Sequence, residues 1–135
     1  MNAAKAQPLL VEIGVGELID KITILRIKTE RMTDEGKLAN VAHELIALEE
    51  VRGAKVPATP ELGRLEAELK TVNEALWEIE DDIRACEAEA DFGPEFVRLA
   101  RAVYQTNDRR ADLKKAINFA AGSTVIEEKS YFTVS

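Results

Sequence analysis

PELGRLEAELKTVNEALWEIEDDIRAC, residues 60–86, is the stretch that decides the fold class. Within it Leu62, Leu65, Leu69, Val72, Leu76, Ile79, Ile83 and Cys86 recur at alternating spacings of three and four. That spacing lays one apolar stripe along an α-helix and gives a heptad seam with no polar interruption. The stretch opens on Thr59-Pro60-Glu61, which combines a capping hydroxyl, a proline at the first helical position and an acid in the first turn. A helix is expected from Pro60 to about Glu87, roughly 40 Å long at ~1.5 Å per residue.

Downstream, Phe92-Gly93-Pro94-Glu95 repeats the start signal for a fourth helix that Gly122 and Ser123 end. Pro60–Glu87 carries nine acids and three bases, whereas Pro94–Gly122 carries three acids and six bases. Opposite signs on consecutive segments joined by a short turn favour a hairpin with the charges flanking the apolar seam. Upstream, Asp34 is the expected N-cap of a second helix. It should run to about Arg52, with Gly53 at its C-terminal turn and Leu38, Val41, Leu45 and Leu48 on one face. A first helix is expected from Glu17 to Met32, with Gly16 as its N-cap and Glu17 and Asp20 at the positive end of its dipole. Leu18, Ile19, Ile22, Ile24, Leu25 and Ile27 spread over a wide arc, which predicts a central helix with more than one neighbour.

Outside the helices, residues 1–8 read as a flexible start. Leu9–Ile13 and residues 124–135 read as short extended segments able to pair with one another. The expected architecture is one all-α domain over 1–135, an antiparallel four-helix bundle with extended segments at both ends. The third helix is long enough to outrun its shorter neighbours, so a second copy of the chain, a homodimer, is the expected way to cover it.

Composition agrees and excludes several functions. Half of the 135 residues are Ala, Leu, Glu, Lys or Arg, and hydrophobic residues are 46% with aromatics only 5%, so the core must be aliphatic. A net charge of −7 argues against general nucleic-acid or anionic-membrane binding. One cysteine and one histidine exclude an intrachain disulfide framework and a multi-histidine metal site. With no apolar run of 18 residues and no cleavable signal pattern, the cytoplasm is the expected compartment.

Chemistry is most legible in the fourth helix. Leu99, Val103, Thr106, Arg110, Leu113 and Ile117 follow the heptad, yet Thr106 and Arg110 occupy seam positions, and Asn107, Asp108 and Arg109 crowd the same turn. An arginine in a seam needs a carboxylate partner or an opening to solvent or ligand. Asp20, Glu44 and the acids of the third helix are the candidate partners. The bland reading is a polar network that fixes helix register, or an exposed arginine after a register shift. The functional reading is a pocket for a small anionic or sugar-containing molecule, with Arg110, Asn107 and Arg109 as donors.

Three segments, Gly16–Leu25 (GELIDKITIL), Thr106–Arg110 (TNDRR) and Glu127–Tyr131 (EEKSY), look like the signature of a bacterial family of short proteins of unknown function. The resemblance covers the chain from about Val11 to Tyr131. It implies no activity and no catalytic residues, but it suggests that the three segments belong to one site. Asp20 and Lys21 would then face Arg110 and Asn107, with the C-terminal tail closing over them.

Two enzyme readings compete. Glu17-x-x-Asp20 and Glu78-x-x-Asp81 each place two acids one turn apart and could hold Mg²⁺ for phosphate chemistry. This is similar to the all-helical nucleotide pyrophosphohydrolases, but the Glu-x-x-Glu expected at their spacing is missing. The alternative is dipole charges for Glu17 and Asp20, and a solvated face for Glu78 and Asp81. Phe92–Val97 and the basic helix after it resemble the last helix of helical chorismate mutases, with Arg26, Lys28, Arg31 and Arg52 as further cations. His43-Glu44 lacks the second histidine of a zinc protease helix, Cys86 reads as core, and Trp77 lies off the seam as an interface residue. Gly14-x-Gly16 lacks the third glycine of a dinucleotide loop. The expectation is a small cytoplasmic binding or assembly module without a cofactor. Its partner would be a protein or a small ligand, with neither nucleic acid nor membrane involved. Its polar site would comprise Asp20, Lys21, Asn107, Asp108, Arg109 and Arg110.

Overall fold

The computed structural model describes residues 6–131 and contains four helices. They are α1 (Val15–Arg31), α2 (Glu35–Lys55), α3 (Pro60–Ala88) and α4 (Pro94–Ala121), and no strand occurs among the described residues. The fold class is all-α. Thr59 caps α3 as its sequence demands, its hydroxyl accepting from Leu62 N at 3.2 Å. Asp34 does the same for α2, accepting from Lys37 N at 2.8 Å. Helix α2 runs three residues past Arg52, so Gly53 lies inside it and only residues 56–59 link it to α3.

Helix α1 explains its broad apolar arc by touching all three other helices, whereas the backbone of α2 approaches α1 alone. The four helices are therefore not four equal corners: α2 rests on the outside of α1. Leu18, Ile19, Ile22, Leu25 and Ile27 are buried on α1, while α2 buries only Val41 and leaves Ile46 and Val51 exposed. The core proper joins Ile19, Leu62, Leu65, Leu69 and Ile117. Farther along α3 the seam changes character, because Leu76, Ile79 and Ile83 are only half-buried. Seventeen residues give α1 about 25 Å, against about 43 Å for the 29 of α3, so the distal part of α3 has only α4 beside it.

The ends differ from expectation. Leu9 and Leu10 are 93% and 92% exposed and pair with nothing in a sheet, so the proposed pairing of Leu9–Ile13 with the tail does not form among the described residues. Residues 132–135 and 1–5 lie outside the described residues. Residues 124–131 are irregular and return along α4 through side-chain ion pairs rather than a backbone ladder. No helix is long and apolar enough to cross a membrane among the described residues.

Candidate functional site

Helix α1 begins two residues earlier than its sequence suggests, with Gly14 rather than Gly16 as N-cap and no side-chain cap of its own. The orphan N–H groups of that first turn are instead satisfied from the far end of α4. Gly16 N donates to Asn118 Oδ1 at 2.7 Å, and Val15 N donates to Ser123 Oγ at 3.3 Å. Such a close approach needs glycine: a Cβ on Gly16 would lie 2.3 Å from Lys114 O. This contact registers α1 against α4, so that Asp20, one turn after Gly16, meets Arg110, one turn before Lys114.

Asp20 is 1% exposed and is the hub of the site. Its Oδ1 accepts from Arg110 Nε at 2.9 Å and from Asn73 Nδ2 at 2.9 Å, and its Oδ2 accepts from Arg110 Nη2. Asn73 Nδ2 also donates to Thr23 Oγ1 at 2.9 Å, and Thr23 donates to Asp20 O at 2.8 Å. One carboxylate from α1 thus joins α3 and α4, and no buried side-chain polar atom is left without a partner among the described residues. Hydrogen bonding to Asp20 raises the Arg110 pKa further above its ordinary value, against the opposing effect of burial. The guanidinium is a permanent cation.

A second network lies one turn toward the start of α1. Lys114 is buried and contacts Glu17 and Glu127, each at 2.6 Å. Burial pulls its pKa down, but the hydrogen bonds to Glu127 and Glu17 outweigh that and the net shift is upward. Glu127 moves the other way: its hydrogen bond to Lys114 lowers its pKa, against a smaller opposing effect of burial. Lys115 holds Glu128 at 2.8 Å and Lys129 holds Asp108 at 2.5 Å, so the tail is tied to α4 at three points. Between tail and helix is a cleft of about 900 Å³, bordered by Tyr104, Asn107, Arg110, Lys114 and Tyr131 among others.

The segments quoted from the sequence therefore converge, but not every residue in them does. Asp20 and Arg110 are bonded, Asn107 borders the same cleft as Arg110, and Asp108 is bound by the tail. Lys21 points elsewhere: it is exposed and sits 3.7 Å from Glu17 on its own helix, because position 21 is a quarter-turn past Asp20. Arg109 is exposed and enters no ion pair among the described residues. The four carboxylates of the Mg²⁺ reading do not assemble. Glu17 is taken by Lys114, Asp20 by Arg110 and Glu78 by Arg31, and Glu17 and Arg31 stand at opposite ends of α1, about 20 Å apart. No group of three potential metal ligands exists among the described residues. Arg26, Arg31 and Arg52 are likewise each spent on glutamates of α2 or α3, rather than gathered for a dicarboxylate. Cys86 is buried, and desolvation raises its thiol pKa, away from a reactive thiolate.

The profile of a family described as a family of unknown function (DUF6165) matches residues 9–135. The chain belongs to this family. No curated protein and no solved structure matches it. The family span takes in α1, Asp20, the whole of α4 and the tail, so every element of the site lies within the shared region.

Asn73, Lys114 and Asn118 are the site residues that the sequence pattern did not single out. Asn73 and Asn118 had one available signal. Asparagine is a poor helix former, and one in mid-helix or at a last turn is there for what its side chain bonds. Lys114 gave none, since it falls among ordinary helix-surface lysines.

Proposed function

We propose that this chain is a small binding module whose ligand site is the cleft between α4 and the tail, and that it binds a compact, hydroxyl-rich, sugar-like molecule. The observation that carries the reading is the state of Arg110. Its Nε and Nη2 are fixed by the buried Asp20, while the side chain keeps 29% of its surface and borders the cleft. Arg110 is thus a donor oriented before any ligand arrives. Three further properties point to a polyol rather than a strongly charged ligand. Lys114 and Lys129 already hold carboxylates, so an anion would have to displace Glu127 or Asp108. Carboxylates and cations alternate along the walls, which suits hydroxyls that both donate and accept. Tyr104 and Tyr131 supply ring faces.

A thermal-shift screen of monosaccharides and sugar acids against the full chain tests this. Saturating ligand at a hundredfold excess over its Kd should stabilise the fold by ~2.7 kcal/mol. The shift should vanish on removing residues 124–135. No shift with any sugar, or a shift that requires Mg²⁺ and a nucleotide, would sink the reading and favour a small phosphate-directed enzyme.

The distal seam favours pairing between two copies of the chain. Leu76, Ile79 and Ile83 are half-covered, and Phe92 and Val97, around the start of α4, are exposed. Sedimentation equilibrium should then return twice the chain mass of 14.9 kDa. Substituting Ile83 and Val97 by glutamate should return it to one.

A further inference from the structure

Asn107 and Arg110, one turn apart on α4, are the only two described residues common to the walls of two cavities. One cavity is the cleft under the tail. The other is a groove of about 480 Å³ between α1, α3 and α4, with Ile24 and Leu76 as apolar lining and the half-buried Trp77 beside them. The two spaces therefore adjoin at these two side chains. Asn107 is half-buried in mid-helix, yet its amide makes no hydrogen bond with any described residue. No buried side-chain polar atom lacks a partner among the described residues, so that amide is not sealed in the interior but open to the cavities it borders. Asparagine is a poor helix former, and this one bonds nothing of the protein's own. Arg110 gives its Nε and Nη2 to Asp20, and its Nη1 to no acceptor among the described residues.

An amide that both donates and accepts, beside a guanidinium already held in place, sits where a ligand longer than either cavity would cross from one to the other. Aromatic rings lie on both sides of that crossing, Tyr104 and Tyr131 in the cleft and Trp77 in the groove. We propose that the ligand is a neutral oligosaccharide of two or more linked units, with one unit in the cleft and the next in the groove. Asn107 and Arg110 hold the hydroxyls on either side of the linkage, and the aromatic rings take the faces of the sugars. This rests on the reading of the cleft as a sugar site and sets the size of the ligand. The charge of the groove favours a neutral chain. Asp20 compensates Arg110 and Glu80 compensates Arg84, whereas Asp81 has no cation within ion-pair reach among the described residues. A polyanionic chain would meet that uncompensated carboxylate.

Trp77 is the only tryptophan, so intrinsic fluorescence reads the groove while calorimetry reads total binding. The probes are linear oligomers of glucose, galactose and N-acetylglucosamine, one to four units long, titrated into the full chain. In a ladder that binds, affinity should rise at least about tenfold from one unit to three, and the fluorescence should change only from two units onward. A monosaccharide that binds in a tail-dependent way, with its oligomers no tighter and Trp77 silent, overturns this proposal and leaves the single-cleft reading standing. No response to any oligomer overturns the proposal, and no response to any monosaccharide in the wider screen overturns the cleft reading as well. Asn107→Ala removes no hydrogen bond made within the described residues and replaces a poor helix former by the best one, so the melting temperature should not fall. It should nonetheless weaken trisaccharide binding at least about tenfold. Unchanged affinity overturns the role of Asn107, and a lowered melting temperature would show its amide bonded within the protein and overturn it equally. A galacturonate trimer that binds more tightly than every neutral trimer overturns the assignment of a neutral chain.

Discussion

At Gly16 a single methyl decides whether α1 and α4 can meet. The added Cβ of Gly16→Ala would sit 2.3 Å from a backbone oxygen of α4, and backbone cannot rotate out of the way as a side chain can. Overpacking of this kind costs ~1–3 kcal/mol, so chemical denaturation should show a loss of that size. A loss below half a kcal/mol would mean that the helices separate freely there. At Arg110 the cost comes from desolvation instead. Arg110→Ala leaves the Asp20 carboxylate buried with only Asn73 as side-chain donor, and breaking a buried pair costs ~3–5 kcal/mol. Arg110→Lys keeps the charge but loses the two-pronged geometry, and should recover part of the loss. The seam arginine was visible in the sequence as an anomaly, because position 110 falls where the heptad demands an apolar side chain. Its partner was only one of several acids until the helices were packed.

At the scale of the element, α3 is one continuous heptad in sequence but two regions in the fold. Leu69 is fully buried under α1, whereas Ile83 lies beyond the reach of α1 and is half-buried. Leu69→Ala should therefore cost ~2–5 kcal/mol, and Ile83→Ala measurably less, in parallel thermal or denaturant melts. Equal costs would show that something covers the distal half in solution. The turn after α3 holds a further effect. Ala90 has φ 53°, a left-handed conformation that suits glycine, while Asp91 N donates to Cys86 O at 2.9 Å to close the helix. Ala90→Gly should raise stability by ~1 kcal/mol, read as an upward shift of the denaturation midpoint. Helix ends set by a side chain within reach, Thr59, Asp34 and Pro94, were legible to within a residue. The start of α1 was not, because its cap comes from Asn118, about a hundred residues away.

For the whole molecule, the tail is held by charge and so by pH. Lys114 lowers the Glu127 pKa, so this pair stabilises the docked tail above the ordinary glutamate value and is lost as acid titrates Glu127 through its lowered one. The raised Lys114 pKa sets the opposite limit, with stabilisation complete below the ordinary lysine value and lost as strong alkali removes the proton. Backbone ¹⁵N order parameters of residues 127–131 should therefore fall below about pH 4 while those of α3 stay high. Glu127→Gln should lower them already at neutral pH. If they are unchanged there, the ion pairs do not hold the tail.

The sequence by itself determined the class and most of the elements: four helices, their caps at α2 and α3, and the central place of α1. Those follow from spacing and capping chemistry, which act over a few residues. Only the tertiary structure decided which acid meets Arg110, that Asn73 completes the bond set of Asp20, and that Lys21 faces away. It also decided that Glu17, Asp20 and Glu78 of the metal-like carboxylate pairs are each matched by a cation, and that the backbone of α2 approaches α1 alone. The reason is physical. A periodicity fixes which face of a helix is apolar, but the axial offset between two helices is fixed by contacts such as Gly16 against Lys114. A few ångströms of offset changes every polar pairing across the interface while leaving the apolar pattern satisfied.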